Sequence, residues 1–138
     1  MSETAARKPA IGERIVHKVF PPITRHTLAL YCGASGDHNP MHVDIDFAKA
    51  AGFPDVFAQG MLAMAYLGQA LTDAIRPAKI RSFSTRFAAI TQLGARLTCE
   101  GHVVELLERE GEKRARLALT TRDEHGEVKL AGEAIIAL

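Results

Sequence analysis

Tryptophan is absent from this 138-residue chain, and two tyrosines and six phenylalanines are its only other aromatic side chains of that class. That is little material for stacking on exposed nucleic-acid bases. An excess of either charge is missing too: 17 Lys and Arg against 16 Asp and Glu leave a formal net charge of +1. So small a surplus draws neither a polyanion nor a membrane surface by bulk attraction. No apolar run approaches the roughly 18 residues of a membrane-spanning helix. Neither a nucleic acid nor a membrane is therefore expected as a partner. Cysteine is scarce as well. Cys32 and Cys99 have no CxxC spacing and read as reduced, packed thiols, which points to a cytoplasmic protein rather than a disulfide scaffold. Met1 to Ala10 holds Arg7 and Lys8 with no apolar stretch behind them, so a secretory signal is not expected.

What is present fits one domain. Hydrophobic residues make up 47% and charged residues 24% of the chain, an ordinary balance for a globular core. Residues 1–11 read as a loose N-terminal tail and 12–138 as a single domain. Gly12 to Phe20 carries Ile15, Val16, Val19 and Phe20, a strand stopped by Pro21-Pro22. Thr24 is placed to cap a helix with Leu28, Tyr31 and Cys32 on one stripe, and Gly36 suits its left-handed exit. Asp46 to Ala51 reads as a short helix ended by Gly52. Gly60 to Ile75 is a longer helix, apolar on nearly every side, which calls for cover on most sides.

The second half changes period. Leu97, Cys99, Gly101 and Val103 alternate with polar neighbours, as do Ala115, Leu117, Leu119 and Thr121, and again Leu130, Gly132, Ala134, Ile136 and Leu138. Period two over three segments predicts half-buried antiparallel strands, with tight turns at Gly111 and Gly126. Lys79 to Ile90 is a fourth, less regular strand. The expected fold is α+β: a curved antiparallel sheet wrapped around a long central helix, the arrangement known as a single hot-dog fold.

The segment from Tyr31 to His42 carries the chemistry. On a continuous helix Asp37 and His42 would lie about 140° apart. Pro40 forbids that continuation and pushes Asn39 towards extended backbone, while the Asn39 amide can hold the turn. Asp37 and His42 can then face one pocket. A carboxylate and an imidazole around one water supply the base and acid needed to add water to a conjugated C=C. Gln59-Gly60-Met61 opens the long helix, where the first amides are unsatisfied and the dipole is positive. Gly60 has no side chain to keep a thioester carbonyl from its N–H, which makes it a candidate oxyanion donor.

Tyr31, Gly36, Asp37, Asn39, Pro40 and His42 resemble the hydratase motif of the MaoC-like, (R)-specific enoyl-CoA hydratases. A pattern G-D-x-N-P-x-H arises by chance in on the order of 10⁻⁵ chains of this length. The resemblance extends through Asp44, Phe47 and Ala48, Gly60-Met61-Leu62, Arg86-Phe87, and Gly94 with Leu97-Thr98. It implies a hot-dog fold, a homodimer, an enoyl-CoA or enoyl-acyl carrier protein substrate, Asp37 and His42 as catalytic pair and the Gly60 amide as oxyanion donor. Asn39 and Pro40 would support the loop. No cofactor is implied. Two positions depart from the family: Gln59 stands where His is usual before Gly-Met, a change of pocket polarity, and Gly94-Ala95 replaces Gly-Asp at a turn.

The same residues admit competing readings. Tyr31, Met61, Met64 and Tyr66 are candidate acyl-pocket residues, although core packing is the default for a stripe on a buried helix. His38 and His42 have a zinc-like spacing that Pro40 breaks, and Asp44-x-Asp46 lacks the glycine and glutamate of a calcium loop, so no metal is expected. His17, His26, His102 and His125 have no companions. Lys79, Arg81 and Arg86 suit either coenzyme A phosphates or a solvated strand face. The alternative function is a non-catalytic or partner-dependent hot-dog subunit that binds acyl thioesters. Thioesterase chemistry is disfavoured, because the long helix offers only Asp73 as a carboxylate.

Overall fold

The computed structural model describes residues 8–138. Residues 1–7 of the expected tail lie outside that range. The described part is already tied down, with the Ala10 amide donating to the Glu13 carboxylate at 2.9 Å and the Gly12 amide to the Val103 carbonyl at 2.7 Å. The elements are β1 (Arg14–Val19), α1 (Arg25–Ser35), α2 (Ile45–Ala50), α3 (Gly60–Ala74), β2 (Ile80–Phe87), β3 (Thr98–Arg109), β4 (Glu112–Arg122) and β5 (Val128–Ala137), with short 3₁₀ turns at Pro40–His42 and Pro77–Lys79. All strand pairs are antiparallel, in the order β1-β3-β4-β5-β2.

The alternating side chains do what their period predicts. Cys99 and Val103 of β3, Ala115, Leu117, Leu119 and Thr121 of β4, and Leu130, Ala134 and Ile136 of β5 are buried. They meet Leu62, Ala63, Leu67, Ala70 and Leu71 of α3, which packs across β1, β3, β4 and β5. This is the hot-dog arrangement. Leu67 and Leu71 are fully buried, and truncating either to alanine would cost about 2–5 kcal/mol. Two glycines are demanded by geometry. Arg109 pairs with Glu112, leaving Glu110 (φ 54°) and Gly111 (φ 77°) as a two-residue hairpin loop with both residues left-handed, the twist that suits the flanking strands. At Gly132 a Cβ would sit 2.2 Å from the Ser84 carbonyl oxygen, so β2 and β5 approach too closely there for any side chain.

The structure differs from the sequence reading at element edges and around α3. The short helix starts at Ile45 because the Asp44 carboxylate caps it, accepting from the amides of Asp46 and Phe47. β3 runs on to Arg109 past a register shift between Val103 and Glu105. That slip breaks the alternation and hides the strand's second half from a period-two reading. Cover of α3 is also less complete than its composition calls for. Met61 is 53% exposed, and Ala65 and Gln69 are exposed on the same stripe, because one sheet closes over one side of a helix only. Among the described residues no helix is long and apolar enough to cross a membrane.

Candidate active site

The loop after α1 is built almost wholly from its own residues. Gly36 leaves the helix at φ 75°, its amide bonded to the Cys32 carbonyl. The Ser35 hydroxyl donates to the Tyr31 carbonyl at 2.6 Å and accepts from the Asp37 amide at 3.1 Å. Asn39 is held at φ −58°, ψ 119°, off the helical region as the following proline requires. Its side-chain oxygen accepts from the Met41 amide at 3.1 Å, and its own amide donates to Asp37 Oδ1 at 3.3 Å. Pro40 then heads a single 3₁₀ turn that ends in His42.

This turn brings His42 Nε2 to 3.8 Å from Asp37 Oδ2. The gap is too long for a direct hydrogen bond, and a water beside the pair can contact both groups. Their surroundings differ: the His42 side chain is 9% exposed and that of Asp37 43%. His42 Nδ1 lies 2.8 Å from the Phe57 carbonyl oxygen. A carbonyl only accepts, so Nδ1 carries a hydrogen, and Nε2 is the ring nitrogen that faces Asp37. The Phe57 ring meets the imidazole edge-on, with centroids 5.2 Å apart.

The start of α3 completes the arrangement. Thr24 caps α1 and Asp44 caps α2 through their side chains, whereas α3 has no side-chain cap. Gln59 is fully buried and turns away, donating from Nε2 to the Leu28 carbonyl at 3.2 Å. Gln59 thus joins α1 to α3 instead of capping the helix. A cavity of about 340 Å³ is lined by His42, Phe57, Gly60, Phe87 and the segment Ala88 to Thr91. A Cβ on Gly60 would lie 3.2 Å from the Phe87 ring. A side chain at this position would crowd the Phe87 ring by a few tenths of an ångström.

Not every sequence candidate meets here. Asp37 stands beside His42 but outside the cavity lining, as do Tyr31, Met61, Met64 and Tyr66. Tyr66 stacks on Phe20, with ring centroids 4.4 Å apart and planes 6° from parallel, and burial raises its phenol pKa. Tyr31 and Met64 are half-buried against the core. Arg81 forms a two-pronged pair with Glu112 at 2.9 and 2.8 Å. Gly94 takes φ 82° and donates its amide to the Ile23 carbonyl, as a turn residue should. A larger cavity, about 600 Å³, lies at the far end of α3 near Ile75, Arg76 and Ile136, with none of the motif residues in its walls. Sequence reasoning missed Phe57 and Ala88 to Thr91. Phe57 acts through a backbone carbonyl, which no residue type announces, and only Arg86-Phe87 within the family resemblance pointed to this wall.

Residues 6–125 match the family described as MaoC like domain. The R-hydratase PhaJ1 from Pseudomonas aeruginosa has a TM-score of 0.81 to this chain at 29% identity, over 93% of this chain and 81% of that one. The (R)-hydratase from A. caviae shares the fold with a TM-score of 0.80 at 23% identity, over 96% and 99% of the two chains. Among curated proteins, "Enoyl-CoA hydratase 2, peroxisomal" from Arabidopsis thaliana is 32% identical over 80 residues, 56% of this chain and 26% of that protein. "3-hydroxyacyl-thioester dehydratase X" from Mycobacterium tuberculosis is 41% identical over 76 residues, 51% of this chain and 26% of the relative. The match thus spans about a quarter of the length of these two relatives.

Proposed function

The chain belongs to the MaoC-like family, and on that premise we propose that it adds water reversibly to trans-2-enoyl thioesters, giving (R)-3-hydroxyacyl thioesters. The observation that carries this reading is the approach of His42 Nε2 to within 3.8 Å of Asp37 Oδ2, beside a helix start that no side chain caps. In the hydration direction a water held by the pair gives up a proton as its oxygen bonds to C3. The π electrons move towards the thioester, and the developing enolate oxygen is held by the Gly60 amide at the positive end of α3. A proton returned through the pair to C2 completes the addition, so one water is consumed and no net proton is released. The hydrogen bond from Nδ1 to the Phe57 carbonyl keeps the imidazole in the tautomer and orientation this relay needs.

The carrier is coenzyme A or an acyl carrier protein, both of which present the same thioester to these groups. The acyl chain lies along the apolar cavity lined by Gly60, Phe87 and the segment Ala88 to Thr91. The working form is a homodimer. β1 and β2 are open sheet edges, and Met61, Phe87 and Ile90 leave large apolar side chains exposed near the cavity. The reaction takes place in the cytoplasm, consistent with the two free thiols. Residues 12–138 act as one domain behind the N-terminal tail.

The test is hydration of crotonyl-CoA by the purified protein, followed by loss of the conjugated enoyl absorbance, with chiral analysis of the product. Asp37→Asn and His42→Ala are each expected to lower turnover by about 10²- to 10⁴-fold while the circular dichroism spectrum is retained. Near-native turnover in either variant refutes the assigned pair. An inert wild-type protein refutes the activity.

A further inference from the structure

Opposite the motif loop, the segment Ala88 to Thr91 forms a wall of the cavity, and it is gripped by a buried ion pair that the reaction does not use. The side chains of Lys129 and Asp123 are each 3% exposed, with Nζ 3.5 Å from Oδ2. Lys129 holds the wall twice. Its Nζ donates to the Ile90 carbonyl at 2.9 Å, and its own carbonyl accepts from the amides of Ala88 and Ala89 at 2.9 and 3.4 Å. Asp123 holds the end of the same segment, accepting from Gln92 Nε2 at 3.1 Å. From there the contacts continue to the site. Gln92 pairs with Phe57 in an antiparallel bridge, and the Ala58 amide donates to the Thr91 carbonyl at 2.8 Å. The Phe57 carbonyl is the acceptor for His42 Nδ1, at 2.8 Å.

We propose that the buried Lys129–Asp123 pair is a positioning clasp for His42, setting the Phe57 carbonyl through the segment Ala88 to Gln92 and so fixing the tautomer and angle of the imidazole. An ion pair buried this deeply is a poor source of stability, because removing two charges from water offsets much of their attraction. A well-packed apolar side chain at 129 would serve the core at least as well, yet it could not hold the Ile90 carbonyl. Asp123 stays charged throughout the working range. Burial opposes its ionisation, but the hydrogen bonds from Gln92 and from the amides of Glu127 and His125, together with Lys129, outweigh that and bring its pKa to about 2. Glu127 also contacts Lys129 Nζ from the solvent side, so the ammonium is paired on two sides and points to the wall on a third.

The inference rests on reading His42 as the working imidazole, and its deciding readout, the ring resonances of His42, does not depend on turnover. The paired variant Lys129→Met/Asp123→Asn removes both charges together, and Gln92→Leu cuts one link while the ion pair stays in place. For each, the ring ¹⁵N resonances of His42, assigned by their loss in His42→Ala, are recorded beside melting temperature and the kcat and KM for crotonyl-CoA. The wild-type ring is expected to show the Nδ1–H tautomer, and both variants a shift towards a tautomer mixture. Their kcat should fall by about tenfold or more, with KM changed less than about threefold. Gln92→Leu should give the smaller effect of the two. Variants that melt earlier but keep the native ring resonances would overturn the clasp and leave a plain structural pair. If the paired variant does not fold, unchanged His42 resonances in Gln92→Leu overturn it alone. A wild-type protein inactive on crotonyl-CoA would sink the hydratase reading, while the ring resonances would still decide the clasp.

Discussion

Two parts of the cavity lining, the loop that carries His42 and the segment Ala88 to Thr91, are held in opposite ways. The Asp37–His42 side is made by residues adjacent in sequence: a left-handed glycine that ends α1, a serine that bonds one turn back, an asparagine that holds its own loop and a proline that starts a 3₁₀ turn. The Ala88–Thr91 side has no such internal support. Its amides and carbonyls are satisfied by Lys129, by Ala58 and, through Gln92, by Asp123. A locally folding loop can therefore present the proposed acid–base pair, while the wall proposed to meet the substrate depends on contacts between distant strands.

The largest expected effect lies where the start of α3 meets Phe87, the residue that precedes the far wall. Gly60→Ala would push a methyl to 3.2 Å from the Phe87 ring and crowd the amide assigned to the oxyanion. Hydration is expected to fall roughly ten- to a hundredfold, measured as kcat/KM for crotonyl-CoA. Adding Phe87→Ala should restore part of the loss. No recovery would mean that the methyl obstructs substrate directly and that the far wall has no share in the effect.

A smaller effect separates the walls by pH. The pKa of Asp123 is lowered from its ordinary value to about 2, so it contributes stability that is fully present above the unfolded-state value of about 4. That contribution is lost as pH falls through about 2. Glu112, drawn to about 2 by hydrogen bonds first from Arg81 and then from Arg114, acts over the same window. Urea unfolding followed between about pH 4 and 2 should therefore show a steep loss of stability that Asp123→Asn makes shallower without abolishing. An unchanged slope in that variant would count against the network around the far wall.

The smallest effect belongs to the local loop. Asn39→Ala removes the side-chain oxygen that accepts from Met41 and should cost about 1 kcal/mol, as loss of a helix cap does, read from the thermal midpoint. Since the bond is local, the change should leave the acid-unfolding slope untouched. A loss several times larger would show that the loop depends on the rest of the fold more than its internal bonds suggest.

These contrasts also mark how far the sequence could be read. The caps at Thr24 and Gly36, the proline turn, the long helix from Gly60 and the alternating strands all follow from rules acting over a few residues, and they appear in place. The Asp37–His42 approach was legible for the same reason. The second half of β3 was not, because a bulge cancels the period that announces a strand. Phe57 and Lys129 were not either. One contributes a carbonyl, and the other is a lysine whose type suggests solvent although only 2% of it is exposed.

The sequence by itself determined the element types, the hot-dog architecture and the kinked loop that turns a carboxylate and an imidazole towards each other. Each of these is set by torsion limits, capping and hydrophobic period, which act between near neighbours along the chain. Only the tertiary structure decided which backbone carbonyl lies against His42 Nδ1, what lines the cavity beyond Gly60 and that a lysine is buried beside Asp123. Those depend on strand register and on distances between residues far apart in the chain, and register is settled by the whole sheet at once.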